Sequence, residues 1–254
     1  MISLTGKAAL ITGGSRGVGA ATVKLFAQAG ADVVFSYRTG KHAAAAVELE
    51  ARKHGTRVEA VKADLRRMDD ARELVEQAAA RLGRLDILVA NAGIWNVVDA
   101  PVEKLGEREW DEMIRANLKS VYAVVHFAVP RMIAQRSGRV IAVSSTAAQR
   151  GEAFHSHYAA SKGGIISLVK SLATELAPHQ VLVNCVAPGW VATDMAKPVL
   201  DTKAGAKAVL SQIPLRRTAT PEEIAGPILF LASELATFIT GEVLNVNGGA
   251  VLCG

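Results

Sequence analysis

The chain has 254 residues, of which 50% are hydrophobic and 21% are charged, with 22 glycines and 2 cysteines. This composition excludes a disordered chain, a collagen and a disulfide-rich scaffold. The 29 basic and 24 acidic residues give a net charge of +5. Because these charges alternate along the chain and form no basic stripe, composition also argues against a nucleic-acid partner.

The sequence contains no recognisable targeting or membrane segment. Residues 1–14 lack the basic and then long apolar stretches of a secretory leader, and no run reaches about 18 uninterrupted apolar residues. Cys185 and Cys253 have neither the number nor the spacing of a disulfide framework or a metal site. We therefore expect a cytoplasmic protein without a membrane partner.

Short apolar runs alternate with amphipathic segments of helix length, which is the pattern of βαβ units. Strands are predicted over residues 7–12, 32–37, 57–62, 87–90, 139–144, 182–187 and 243–246. Helices are predicted to begin near Gly17, His42, Asp69, Gly106, Ser156 and Pro221. The sequence thus predicts an α/β fold, a Rossmann-type doubly wound seven-stranded parallel sheet with helices on both faces. Residues 1–254 are expected to form a single domain, and the weaker pattern of 189–212 predicts a substrate lid.

A glycine-rich turn joins the first predicted strand to the first predicted helix. It reads Thr12-Gly13-Gly14-Ser15-Arg16-Gly17-Val18-Gly19. Glycines permit a tight turn and bring backbone amides close to a pyrophosphate, and a helix N-terminus favours an anion. The turn therefore predicts cofactor contacts by Gly13, Ser15, Arg16, Gly17, Val18 and Gly19.

The end of the second predicted strand reads Phe35-Ser36-Tyr37-Arg38 and contains no acid. In dinucleotide folds an acid at this place contacts the ribose 2′-hydroxyl. Arg38, together with Arg16 from the glycine turn, would instead bind a 2′-phosphate. The sequence predicts NADP(H) in preference to NAD(H), with Tyr37 and Arg38 among the cofactor contacts.

A serine, a tyrosine and a lysine point to proton chemistry on a carbonyl or alcohol. Ser145 follows the fifth predicted strand, and Tyr158 and Lys162 lie four residues apart at the start of a predicted helix. That spacing places both side chains on one helix face. Since a phenol has a pKa near 10, a neighbouring ammonium is expected to lower the pKa of Tyr158 toward the working range.

Other side chains lie where an open α/β sheet binds ligands. Trp95, Phe154 and Trp190 are predicted to line a substrate pocket, with packing in the core or in an interface as the alternative. His155 and His157 have no third ligand at suitable spacing, so we expect no metal and assign His155 to substrate contact or loop polarity.

Taken together, these motifs resemble the short-chain dehydrogenase/reductase family, in its single-domain branch of about 250 residues. The resemblance covers nearly the whole chain. Besides the glycine turn and the Ser145, Tyr158 and Lys162 set, it includes Asn91-Ala92-Gly93, Asn117, and Pro188-Gly189 with Thr193.

The resemblance implies roles for residues at matching positions. Tyr158 would protonate the carbonyl oxygen or deprotonate an alcohol, and Ser145 would hydrogen-bond that oxygen. Lys162 would tune Tyr158 and hold the nicotinamide ribose, while Asn117 would anchor a water that relays protons to it. Further cofactor contacts are implied for Asp64, Leu65, Asn91, Ala92, Gly93, Pro188, Gly189, Val191 and Thr193.

Within the family, much of the C-terminal half resembles the 3-oxoacyl-[acyl-carrier-protein] reductases. Arg136 matches a basic position that those enzymes use toward the acidic carrier protein, whereas their second basic position is His179 here. The expected activity is NADPH-dependent reduction of a ketone to a secondary alcohol, or the reverse. Alternatives are a sugar, steroid or small-alcohol dehydrogenase of the same family, and a non-catalytic NADP(H) sensor.

The resemblance also implies a homo-oligomer, most simply a tetramer. Two long segments, 110–132 and 156–176, would pack across one interface, and the region of the C-terminal strand across another. Closed symmetric assemblies are the general rule for soluble oligomers.

Overall fold

The computed structural model describes residues 2–253. It contains one sheet of seven parallel strands in the order β3-β2-β1-β4-β5-β6-β7. The strands are β1 (Ala8–Ile11), β2 (Asp32–Tyr37), β3 (Val58–Lys62), β4 (Ile87–Ala90), β5 (Gly138–Val143), β6 (Val181–Pro188) and β7 (Val243–Val246). The predicted Rossmann-type architecture is confirmed, and every predicted strand is present with ends shifted by no more than about one residue.

The helices connect successive strands. They are α1 (Gly17–Gln28), α2 (Lys41–Arg52), α3 (Met68–Leu82), α4 (Glu107–Ile114), α5 (Ser120–Gln135), α6 (Ala147–Arg150), α7 (Ser156–Leu176), α8 (Lys197–Leu200), α9 (Lys203–Ser211) and α10 (Pro221–Ala232). Helix α10 begins at the predicted Pro221, and Thr220 and Glu223 form a capping box there. Within residues 2–253, no helix is both long and apolar enough to cross a membrane.

Two apolar layers hold the helices against the sheet. One contains α3, α5 and α7, with Leu74, Val124 and Ile165 fully buried. The other contains α1, α2 and α10, with Phe26 and Ile228 fully buried. Because the central strands are buried on both faces, their sequences are continuous apolar runs instead of alternating ones.

The strand order reverses between β1 and β4. Ile11 of β1 pairs in register with Phe35 of β2 and with Val89 of β4, so the loops that follow these strands leave the sheet side by side. Open α/β sheets bind ligands at such a reversal, outside the carboxyl ends of the strands.

Two segments near the site are less regular than the other helices. The segment between α4 and α5 is a π-helical turn, Arg115–Lys119, so 110–132 is not one regular helix. Such turns often occur where a helix carries a functional side chain. The segment 189–212 contains the short helices α8 and α9, and its role as a lid stays a prediction.

Candidate active site

A cleft of about 490 Å³ lies at the strand reversal. It contains every residue that the sequence predicts to contact a cofactor: Gly13, Ser15, Arg16, Gly17, Val18, Gly19, Tyr37, Arg38, Asp64, Leu65, Asn91, Ala92, Gly93, Tyr158, Lys162, Pro188, Gly189, Val191 and Thr193. Ser145, Trp95 and Trp190 also line it. Three predicted site residues, Asn117, Phe154 and His155, are not among its lining residues.

The glycine turn forms one wall of the cleft. Gly13 and Gly17 have φ angles of +69° and +54°, which glycine adopts without strain. A Cβ on Gly19 would lie 2.1 Å from the Gly13 carbonyl oxygen. Helix α1 starts here with no acid in its first turn and no side-chain cap at Arg16, so its N-terminal amides remain available to an anion.

Thr12 and Asn91 join the loops after β1 and β4. The Thr12 hydroxyl accepts hydrogen bonds from the backbone amides of Asn91 and Ala92, each at 3.0 Å. The Asn91 amide nitrogen donates to the carbonyl oxygens of Thr12 at 3.0 Å and Gly13 at 3.3 Å. These bonds close the base of the cleft and hold the glycine turn in place.

Arg16 and Arg38 lie at the far end of the cleft. Both side chains are exposed, and neither guanidinium forms an ion pair or hydrogen bond within residues 2–253. Ser36, Thr39 and Gly40 complete this part of the lining and bring no negative charge. The donors of both guanidinium groups are therefore available to a ligand with negative charge.

Asp64, which follows β3, is already paired. Arg66 binds its carboxylate through two nitrogens and also donates to Glu112 of α4 at 2.6 Å. The hydrogen bond from Arg66 lowers the pKa of Asp64. The negative charge of Asp64 is thus offset and does not oppose an anion near Arg38.

Ser145, Tyr158 and Lys162 line the same part of the cleft. The Ser145 hydroxyl accepts a hydrogen bond from the Ala147 amide at 3.1 Å. Burial raises the pKa of Tyr158 to about 12, and hydrogen bonding with Ser145 opposes that rise. The expectation that the pKa of Tyr158 lies below its usual value is therefore wrong. Burial raises this pKa by more than the contacts of Tyr158 with other protein groups lower it.

Lys162 is held away from the phenol by the strand beside it. Its ammonium donates to the Val143 carbonyl oxygen at 2.9 Å and lies 6.0 Å from the centre of the Tyr158 ring. Burial lowers the pKa of Lys162 to about 8. With this pKa, Lys162 keeps its proton for most of the time at neutral pH. Gly93 passes close to Lys162, and a Cβ on Gly93 would lie 3.3 Å from the ammonium nitrogen.

Asn117 lies in the π-helical turn behind the cleft and is fully buried. Its side-chain oxygen accepts from the Ile94 amide at 2.8 Å, and its nitrogen donates to the Ile94 carbonyl oxygen and to the Ser161 hydroxyl at 3.0 Å each. Ser161 in turn donates to the Tyr158 carbonyl oxygen at 2.7 Å. The side chain of Asn117 thus connects the loop after β4 to the first turn of α7.

Aromatic side chains close the outer end of the cleft. The Trp95 and Trp190 rings meet edge to face at 5.7 Å. His155 is buried behind Trp95, with the rings stacked at 5.1 Å. Phe154, at a φ angle of +65°, is instead 52% exposed. The two tryptophans are therefore placed to contact a substrate, while His155 supports Trp95 and Phe154 faces solvent.

Sequence reasoning missed two acids in the cleft, Glu152 and Asp194. Glu152 lies in the loop before α7 and lines the cleft beside Arg150. The Trp95 ring nitrogen donates to a Glu152 carboxylate oxygen at 3.2 Å. Burial raises the pKa of Glu152. The sequence signal for Glu152 is that residues 147–157 are bulkier and more polar than the same stretch of the 3-oxoacyl-[acyl-carrier-protein] reductases.

Comparison with known proteins identifies the class to which this fold and site belong. A family model described as "Enoyl-(Acyl carrier protein) reductase" matches residues 13–251. The chain belongs to the short-chain dehydrogenase/reductase family and is an NAD(P)-dependent oxidoreductase.

Relatives within the family are similar over almost the full length. The chain is 40% identical over 248 residues to the 3-oxoacyl-[acyl-carrier-protein] reductase of Aquifex aeolicus, covering 98% of each chain. It is 41% identical over 249 residues to the enzyme of the same name from Thermotoga maritima, covering 98% of this chain and 99% of the relative. The predicted resemblance to these reductases is confirmed.

Solved structures give the same result. A short chain dehydrogenase from Burkholderia cenocepacia in complex with NADP has a TM-score of 0.89 at 33% identity, covering 97% of this chain and 98% of the other. A dehydrogenase/reductase from Sinorhizobium meliloti has a TM-score of 0.91 at 35% identity, covering 98% and 97%.

Proposed function

We propose that the protein is an NADPH-dependent carbonyl reductase in which Tyr158 exchanges the proton and Ser145 binds the reacting oxygen. The observation that carries this proposal is the placement of Ser145, Tyr158 and Lys162 in one cleft with the glycine turn. When bound, the nicotinamide would supply or accept the hydride. The protein residues would bind the cofactor and the substrate and transfer the proton.

The residues of the cleft fit a nicotinamide dinucleotide. The positive φ angles of Gly13 and Gly17 let the turn present backbone amides to a pyrophosphate, next to the uncapped N-terminus of α1. Pro188, Gly189, Val191 and Thr193 would contact the nicotinamide end, and Asp64 and Leu65 the adenine end. Asn91, Ala92 and Gly93 would lie along the adenosine ribose.

The surroundings of Tyr158, Ser145 and Lys162 are compatible with the role proposed for each side chain. With a pKa raised to about 12, Tyr158 is protonated at neutral pH and can donate its proton to a developing alkoxide. Ser145 would donate a hydrogen bond to the same oxygen and stabilise its charge. Lys162 would hold the nicotinamide ribose hydroxyls. Asn117 would position α7 through its bonds to Ile94 and Ser161 and would anchor a proton-relaying water.

The preference for NADPH rests on Arg16 and Arg38. Exposed Arg16 in the glycine turn and exposed Arg38 after β2 both line the cleft, and β2 itself ends without an acid. A ribose 2′-phosphate would receive charge-assisted hydrogen bonds from them. NADH lacks that phosphate and would gain nothing from either side chain.

Replacement of Arg38 tests this preference. Since a hydrogen bond between charged groups contributes roughly 1.5–3 kcal/mol, Arg38→Ala should lower kcat/KM for NADPH by at least about tenfold. The value for NADH should stay within about twofold, because Arg38 does not act on it. Steady-state kinetics with both cofactors provide the measurement. Arg72→Ala, which removes an exposed arginine outside the cleft, serves as the control. A wild-type enzyme that prefers NADH would contradict the proposal.

A substrate panel tests the activity itself. NADPH oxidation should be measured with an acetoacetyl thioester, simple diketones and aldehydes. Turnover of a carbonyl compound supports the reductase. Tight NADPH binding with no turnover of any of them would favour the NADP(H) sensor. Acyl carrier protein remains the second candidate partner, supported by the 3-oxoacyl reductase relatives and by exposed Arg136.

We also propose a homotetramer and a lid over residues 189–212. Trp110 on α4 and Tyr122 on α5 are 39% and 46% exposed, which fits an interface along these helices. Thr193, Met195 and Ala196 line the cleft from the lid segment. Light scattering of the purified protein would measure the number of subunits directly.

A further inference from the structure

Glu152 is a cleft acid that the proton chemistry does not use. Its side chain is only 17% exposed. One carboxylate oxygen, Oε1, accepts the hydrogen bond from the Trp95 ring nitrogen at 3.2 Å. No donor among residues 2–253 bonds the other oxygen, Oε2, and that atom is not sealed from solvent. A strong acceptor therefore remains available inside the cleft.

The carboxylate lines the same cleft as the reacting centre. Glu152, Ser145 and Tyr158 all line it, and so does Trp95, whose ring nitrogen donates to Glu152. His155 Nδ1 lies 3.8 Å from the same oxygen, Oε1, and the His155 ring supports Trp95. The charge of Glu152 also contributes to the raised pKa of Tyr158. A small molecule bound in this part of the cleft can therefore contact both Glu152 and Tyr158.

The charge of Glu152 is partly offset. Arg150 lines the same cleft, and its positive charge lowers the pKa of Glu152, against the larger effect of burial. Because Arg150 and Glu152 carry opposite charges and both line the cleft, this part of the cleft has no net requirement for a charged ligand. The hydrogen-bonding capacity of Oε2 is what remains for a ligand to satisfy.

The surrounding walls are flat and apolar. Trp95 and Trp190 form an edge-to-face corner beside the carboxylate. An aliphatic chain in this corner would exclude water from Glu152 without replacing the lost hydrogen bonds, which is costly for a carboxylate. A chain that carries a hydroxyl would satisfy Oε2 while its C–H groups pack on the indole rings.

We infer that Glu152 selects a neutral hydroxylated carbonyl compound, with a hydroxyl close to the carbonyl donating to Oε2 while Tyr158 and Ser145 bind the carbonyl oxygen. The inference rests on the proposed reductase function and narrows its substrate class. It makes a ketone with a purely aliphatic tail a poor substrate.

Three methyl ketones of the form CH3COCH2X test the inference. They are hydroxyacetone, 2-butanone and the (2-oxopropyl)trimethylammonium ion, which place a hydroxyl, a methyl and a cation at the same position. For each, kcat/KM with NADPH is measured in the wild type, Glu152→Leu, Glu152→Gln and the exposed control Glu103→Gln. Comparing the variants cancels the intrinsic difference in reactivity between the ketones.

The expected result concerns the ratio of kcat/KM for hydroxyacetone to that for 2-butanone. In Glu152→Leu this ratio should fall by about tenfold to a hundredfold, the factor that corresponds to a hydrogen bond with a charged acceptor. Glu152→Gln keeps an amide oxygen that can accept the hydroxyl, so its ratio should lie between those of the wild type and Glu152→Leu. Glu103→Gln should leave the ratio unchanged. NADPH affinity and thermal unfolding establish that each variant is folded. If Glu152→Leu does not fold, the comparison of Glu152→Gln with the wild type provides the test.

Other outcomes separate this inference from the proposed function. Equal ratios in the wild type and both Glu152 variants would overturn the inference while leaving the reductase intact. A preference for the ammonium ketone that depends on Glu152 would also overturn it, in favour of cation recognition. If the acetoacetyl thioester is reduced and none of the three methyl ketones is, the inference about Glu152 is overturned in favour of an acyl substrate. If no carbonyl compound is reduced at all, the reductase proposal fails as well.

Discussion

Replacing Tyr158 with phenylalanine should lower kcat by about a hundredfold to ten-thousandfold while leaving NADPH affinity within about twofold of the wild type. The substitution removes one oxygen and keeps the ring, so the packing of α7 should not change. The cleft would lose the only group proposed to protonate the alkoxide. Single-turnover reduction of a ketone, together with NADPH binding followed by fluorescence, measures both quantities.

Tyr122→Phe is the matched control, because Tyr122 is a half-exposed residue of α5 outside the cleft. It should leave kcat unchanged. A Tyr158→Phe enzyme that keeps more than about a tenth of the wild-type kcat would remove Tyr158 from the proton-transfer role, since general acid catalysis contributes at least a hundredfold.

Replacing Gly19 with alanine is expected to have the largest effect on the cofactor-binding wall. The added Cβ would lie 2.1 Å from the Gly13 carbonyl oxygen and 2.7 Å from the Asn91 side-chain nitrogen. Both atoms belong to the hydrogen-bonded base of the cleft, so neither can move cheaply. We expect a loss of about 3 kcal/mol in the free energy of unfolding. The Kd for NADPH should rise at least about tenfold, because a shift of the turn misplaces its amides.

Gly226 provides a glycine-to-alanine change without the clash. It lies inside α10, and a Cβ there would meet no atom within 4 Å other than its chain neighbours and the helix backbone. Gly226→Ala should therefore leave NADPH binding unchanged. Because Pro227 follows, the gain in helix propensity is opposed by contact between the new Cβ and the proline ring, so the free energy of unfolding should change by less than about 1 kcal/mol. Chemical denaturation and NADPH titration of both variants make the comparison. Equal behaviour of the two variants would show that the turn tolerates a side chain at position 19.

The sequence was most informative where a feature depends on local chemistry. Strands were predictable because buried parallel strands are apolar on both faces, and the start of α10 because Thr220, Pro221 and Glu223 act within one turn. The glycine turn, Tyr158 and Lys162 were found because their spacing along the chain determines their placement in space.

The features that the sequence did not predict depend on the orientation of side chains in loops and on burial by residues distant in the chain. Phe154 and Glu152 lie two residues apart in one loop, yet Phe154 points to solvent and Glu152 lines the cleft. No periodicity indicates such orientations in an irregular loop. The raised pKa of Tyr158 likewise depends on burial, which the four-residue spacing to Lys162 does not reveal.

The bonds between Thr12 and Asn91 have a consequence for how nucleotide enters. Four hydrogen bonds hold the two loops together without any contribution from a ligand. Association should therefore involve little ordering of the backbone, and little affinity should be lost to conformational entropy. The amide protons of Asn91 and Ala92 should exchange slowly with deuterium even in nucleotide-free enzyme, and adding NADPH should slow them only slightly.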